Sequence, residues 1–243
     1  MLAHEKLQVY GKALDFAGRA IALTAAWDKK HALVDHLSRA AESILLNLAE
    51  AARKRGEPAR LTIVDYAIGS SLECAACLDI ARIKDLLKAF QCHEEKRRLC
   101  EITKMLIGLR KAWIDLIAKE EPLPYEPESA LPSPAPLFHH ETLQVYRTAL
   151  DFMEWFTSRS AGKELTIRLF RQVDEAATSV VLNIAEGNGR YAELDHDRFL
   201  KIADSAAIRV AVYLDLCVQK GFLRKEETAV GKTILCKIHA MLA

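Results

Sequence analysis

Glycine and proline are scarce in this sequence, at 10 and 7 of 243 residues. A chain of many tight turns needs more of both, so long helices are expected rather than a sandwich or barrel of strands. No apolar run reads as long enough to cross a bilayer, and no basic stretch leads into an apolar one at the N-terminus. The expectation is a cytoplasmic protein that neither spans nor binds a membrane. Net charge is nearly absent too, at +1. A dedicated nucleic-acid binder usually carries a clear excess of Lys and Arg, so such a role has to rest on local patches. The balance is uneven along the chain: +4 over residues 1–118, −3 over 119–138 and zero over 139–243. With no export signal, the six cysteines read as reduced, buried small hydrophobes rather than disulfides.

What is present is a repeat. Leu7-Gln-Val-Tyr10 returns as Leu143-Gln-Val-Tyr146, and Ala13-Leu-Asp-Phe16 as Ala149-Leu-Asp-Phe152. Asn47 and Asn183, Leu78-Asp79 and Leu214-Asp215, Leu99-Cys100 and Leu235-Cys236, and Met105 and Met241 all keep the same offset of 136 residues. A constant offset means a tandem duplication of one domain, not a short-period solenoid. Between the copies lie six of the seven prolines, from Pro122 to Pro136. Proline resists helix, so this stretch reads as an extended linker that could span about 45 Å. The expected domains are residues 1–118, a linker over 119–138, and residues 139–243.

Apolar residues at helical spacing predict four helices per copy. In copy one they fall near Leu2–Ala26, Lys30–Arg55, Pro58–Lys88 and Cys92–Ala118. In copy two they fall near His140–Ser158, Lys163–Glu186, Ala192–Gln219 and Lys225–Ala243, with the last helix shorter than its counterpart. Gly162 and Gly221 sit at suitable stops. Four amphipathic helices with short connections make an up-down-up-down bundle. The fold class is therefore all-α, with two tandem four-helix bundles joined by the proline-rich linker.

The second helix of each copy carries the same polar set: Ser43, Asn47 and Glu50, then Ser179, Asn183 and Glu186. Those spacings place all three on one side of a helix, beside the apolar stripe. An asparagine there needs a hydrogen-bond partner, and a glutamate near a helix C-terminus is disfavoured by the dipole. Both are expected to find a partner on a neighbouring helix. No base, nucleophile or phosphate-cradling loop accompanies them, so the role is structural and no catalytic residue is assigned. Basic residues gather where these helices end: Arg53, Lys54, Arg55 and Arg60 in copy one, Arg190 and Arg198 in copy two. They either complement the helix dipole or bind phosphate. Lys96-Arg97-Arg98 is a second basic spot, read as solvated. Cys74-Ala-Ala-Cys77 has zinc-ligand spacing, but copy two has Val210 and Tyr213 there, which argues for packing. Glu193-x-x-His196 matches half of a di-iron signature whose other half is missing. No metal or cofactor is expected. His4 and His140, each followed by glutamate, recur at the head of helix one and suit a helix-start contact.

Leu-x-Val-Tyr near the start, Asn-x-Ala-Glu-Gly on helix two (Asn183 to Gly187) and Arg198-Phe-Leu-Lys-Ile-Ala203 on helix three resemble one four-helix-bundle family. It includes the proteins encoded in 23S rRNA intervening sequences and the accessory variability protein of diversity-generating retroelements. Copy one keeps Asn47, Ala49 and Glu50 with Ala51 in place of the glycine, and its Gly69-Ser70-x-x-Glu73 resembles the family's helix three. Copy two has Ser205, Ala206 and Arg209 there. The resemblance implies five-bundle rings, which whole chains of two bundles cannot fill, so an altered ring or an internal pseudo-dimer is expected. It also implies a reverse transcriptase as partner and contact with RNA or DNA. The reading is a non-enzymatic adaptor that docks a protein partner and touches nucleic acid through Arg53, Lys54, Arg55, Arg60, Arg190 and Arg198. The alternative is a structural self-assembly module without nucleic acid.

Overall fold

The stretches whose apolar residues recur every three or four positions are helices, each with its stripe turned inward. The computed structural model describes residues 2–28, 31–54, 59–118, 136–161 and 168–243, and among these there are eight α-helices and no strand. Copy one holds α1 (Gln8–Ala25), α2 (Ala32–Arg53), α3 (Ala59–Ile83) and α4 (Ala89–Ala118). Copy two holds α5 (Gln144–Ser160), α6 (Arg168–Asn188), α7 (Glu193–Gln219) and α8 (Lys225–Leu242). Consecutive helices pack side by side, and α1 meets α4 as α5 meets α8. Each copy is thus a closed up-down-up-down bundle.

Helix one is shorter than its periodicity suggests. A 3₁₀ turn, His4–Lys6, and an extended Leu7 (φ −83°, ψ 119°) precede α1. His139–Thr142 and Leu143 (φ −70°, ψ 128°) do the same before α5. Each turn is tied by its glutamate, Glu5 accepting from the Leu2 N–H at 2.6 Å and Glu141 from the Leu137 N–H at 3.0 Å. The break lets the preceding histidine ring meet a tyrosine of the helix edge-on, His4 on Tyr10 at 4.6 Å and His140 on Tyr146 at 4.7 Å.

Helix three of copy one stops at Ile83, not Lys88, and α4 starts at Ala89 rather than Cys92. Asp85 takes a left-handed φ of 55°, and the Leu86 N–H reaches back to the Ala81 carbonyl at 2.9 Å. Copy two closes α7 in the same way with Gly221 (φ 71°) and Phe222 on Cys217 at 2.9 Å. Such a cap is conspicuous when it is glycine and hidden when it is aspartate.

Phe16, Leu33, Leu37, Ile44, Leu48 and Leu99 fill the first bundle. The second is more aromatic, with Phe156 stacked between Phe152 (6.4 Å) and Phe170 (6.0 Å). One matched pair of positions changes its chemistry between copies. Arg19 of α1 forms a bidentate ion pair with the buried Glu95 of α4. In α5 and α8 the same positions are Trp155 and Gly231, and a Cβ on Gly231 would sit 2.5 Å from the indole. Gly231→Ala is therefore expected to lower stability by about 1–3 kcal/mol, as overpacking does, read from urea unfolding.

The bundles are not rods held apart by a linker. The α3 helix packs on α6 and α5 as well as on α2 and α4. Its buried residues run from Ile63 to Ala81 on almost every side, and the buried apolar residues of both copies form one continuous cluster. By length and composition α3 is apolar enough to cross a bilayer (mean hydropathy 1.3), contrary to the expectation that no run is, but 72% of that window lies buried inside the protein. The second unit begins before residue 139: Phe138 is buried and stacks on His140 at 5.6 Å. Residues 119–135 of the expected linker lie outside the described residues. All six cysteines are free; Cys74, Cys77, Cys92 and Cys217 are buried, whereas Cys236 is exposed.

Candidate interaction site

The residues that combine charge with burial meet where the two bundles join. Asp79, on the face of α3 turned to copy two, is held by the Lys96 ammonium of α4 at 2.7 and 2.9 Å and by the Tyr146 hydroxyl of α5 at 2.9 Å. Lys96 also pairs with Glu141 at 2.6 Å. Lys96, read from sequence as solvated, is thus buried, because two carboxylates compensate its charge. Burial alone would pull its pKa down, but Asp79 and Glu141 outweigh it and the net shift is upward. Burial drives the Tyr146 hydroxyl well above its ordinary range, with Asp79 adding to it. His140 is wholly buried, and among the described residues neither ring nitrogen has a hydrogen-bond partner. Burial, with Lys96 nearby, lowers its pKa to about 3, so the ring is neutral. Asp79, His140 and Glu141 bring three metal-type donor atoms within 4.8 Å of one another. The Lys96 ammonium already supplies the positive charge there.

At the other end of the joint the backbones themselves approach. A Cβ on Gly189 would lie 2.8 Å from Leu72 Cδ1 and 3.1 Å from the Gly69 Cα. A Cβ on Gly69 would meet the Arg190 guanidinium at 3.0 Å. Arg190 donates to Glu186 one turn back, and its guanidinium faces the rings of Tyr66 (4.8 Å) and Phe199 (4.7 Å). Arg110 of α4 bonds Asp65 at 2.6 Å and lies over the Tyr191 ring at 3.9 Å. Burial raises the pKa of both Asp65 and Glu186, the latter also through Glu73. A buried ion pair between Lys84 and Asp174 completes the joint. Gly189→Ala forces these backbones apart and is expected to cost about 1–3 kcal/mol, measured by thermal unfolding.

The duplicated Ser–Asn pair resolves differently from expectation. The Asn47 amide donates to the carbonyl and hydroxyl of Ser43 at 2.8 and 3.0 Å, and Asn183 does the same to Ser179 at 2.7 and 3.1 Å. Each asparagine is satisfied within its own helix, since four residues is one turn. The link to a neighbour runs through serine: the Ser43 and Ser70 hydroxyls lie 2.8 Å apart. Glu186 is paired by Arg190, also local, while Glu50 is exposed. Ser43, Ser179, Asn183 and Glu186 share a cleft of about 370 Å³ with His36, Arg39 and Glu73.

The six cations assigned to nucleic acid are scattered. Arg190 lies inside the joint, its side chain only 5% exposed. Arg60 sits 3.2 Å from the Trp113 ring centroid and donates to the Ala51 carbonyl at 2.9 Å. Arg53 is exposed at the end of α2, Lys54 is half-buried, and Arg55 is outside the described residues. Arg198 is exposed on α7, in a shallow hollow with Lys201 and Arg209. For the residues rejected as metal ligands, Cys74 and Cys77 are wholly buried with burial pushing both thiols up. Glu193 is exposed and the His196 ring bonds the Gly187 carbonyl at 2.8 Å.

These residues define a tandem four-helix-bundle protein whose halves are fastened by a buried polar joint. The chain belongs to the family of 23S rRNA-intervening sequence proteins, which matches residues 5–108 and again residues 141–243, once per bundle. Among curated proteins and among solved structures, none matches.

Proposed function

We propose that this chain is a non-enzymatic adaptor that works by docking other proteins on its helical faces. The observation that carries the reading is the stripe Ile202, Ile208, Val212 and Leu216 along α7, large apolar side chains left in solvent at helical spacing. Leu14 and Ile21 on α1 and Leu46 on α2 are bared in the same way. Contiguous exposed apolar residues mark interaction surfaces. Two of the six cations assigned to nucleic acid, Arg60 and Arg190, have partners inside the protein, which favours protein over RNA as the principal ligand. The finer form of the reading, drawn from the resemblance, takes a reverse transcriptase as the docked protein.

A photo-crosslinking residue placed at position 46 or 212 in the cell tests this. Protein adducts that survive nuclease are expected. Adducts that nuclease removes, and that are lost when Arg53 and Arg198 are made alanine, overturn the adaptor in favour of an RNA-binding protein.

A further inference from the structure

The joint between the bundles is heterologous. Copy one supplies α3 and α4, and copy two supplies the counterparts of α1 and α2. Each bundle therefore has two different docking faces, and only one face of each is used inside the chain. The two unused faces carry the same positions as the joint, laid open. Leu182 is 3% exposed in the joint, and its counterpart Leu46 is 70% exposed. Phe138 is 5% exposed and its counterpart Leu2 is 63% exposed. Across the joint, Leu72 is 7% exposed whereas its counterpart Ile208 is 51% exposed. Val212 and Leu216 continue that stripe, and their counterparts Ala76 and Ile80 are fully buried.

The polar fittings are preserved as well. Asp215 and Lys232, the counterparts of Asp79 and Lys96, already form an ion pair at the surface. His4, Glu5 and Tyr10 repeat His140, Glu141 and Tyr146, down to the edge-on ring contact. We propose that the two open faces bind each other between molecules, so that copy two of one chain takes copy one of a second chain through a repeat of the internal joint. The Tyr10 hydroxyl then donates to Asp215, Glu5 pairs with Lys232, and Leu46 covers Ile208 and Val212. Arg209 meets Glu50, where the internal joint sets Glu73 near Glu186. Ser38 replaces Asp174, and Arg110 has no counterpart, so the joint between chains is weaker than the one within and is reversible. A heterologous contact of this kind builds a ring if it closes and a filament if it does not.

The inference rests on the docking reading above and names its occupant. Light scattering on the full chain is expected to give a mass that rises with concentration to at least twice the 27.2 kDa of one chain. Leu46→Glu and Val212→Glu alter exposed residues on opposite faces, and each variant alone is expected to stay a single chain with unchanged helical content. Mixed in equal amounts, they have one intact face each and are expected to form a dimer that grows no further. A wild-type chain that is monomeric at every concentration overturns the proposal, as does a mixture that remains monomeric. Were position 46 then to crosslink only to a different protein, the adaptor would stand and the second copy would fall. Absence of any protein adduct would remove both.

Discussion

Lys96→Met is expected to lower the stability of the protein by about 3–5 kcal/mol, the usual consequence of removing one member of a buried ion pair. The substitution keeps the length of the side chain and leaves Asp79 and Glu141 facing each other without their shared cation. Tyr146→Phe, which removes a single hydrogen bond to Asp79, is expected to cost less, about 1.5–3 kcal/mol. Urea unfolding of both variants at neutral pH gives the comparison. Equal losses, or a Lys96→Met loss below about 1 kcal/mol, would mean that water reaches the carboxylates and screens them as at a surface. The folded-state pKa of Lys96 is raised. Its contribution is therefore whole below the ordinary lysine range and is lost only as pH climbs through the folded value.

Acidification is expected to weaken the same region through His140. Its pKa is about 3 in the folded protein against an ordinary 6.5. Between those values the unfolded chain binds a proton that the folded chain refuses. Stability then falls as pH falls, by up to about 1.4 kcal/mol per pH unit, and this penalty is absent above the ordinary histidine range. From pH 6.5 to 5 the loss approaches about 2 kcal/mol. His140→Leu keeps an apolar group between Phe138 and Tyr146 and removes the proton acceptor. The difference between the wild-type and His140→Leu stability curves isolates this slope. Asp65 and Glu186, whose pKa values are raised, act in the opposite sense nearer pH 4 and cancel in that difference. Parallel curves would show that the unfolded chain does not protonate this ring in the expected range.

The repeat, its register and the eight helices were legible because they are periodic, and a constant offset is hard to counterfeit. The docking of the bundles was not. Seen along the chain, Gly69 is one small residue in an apolar helix and Gly189 one helix-ending glycine. Only their approach across the joint explains both. Lys96 and Arg190 looked like surface cations because their partners, Asp79, Glu141 and the Tyr66 ring, lie on other elements. The sharpest available signal was divergence between copies. Ala76 became Val212 and Leu72 became Ile208, substitutions that keep a face apolar where an isolated bundle would expose it. The asparagine motif misled in the other direction: its partner was the serine four residues back, already present in the motif.

Covalent fusion changes what dilution can do to the joint around Asp79. Two separate bundles would part when scarce, as any bimolecular complex does. Tethered halves meet at a local concentration that does not depend on how much protein is present. The two-bundle unit therefore persists at trace abundance, and only contacts between whole chains respond to supply.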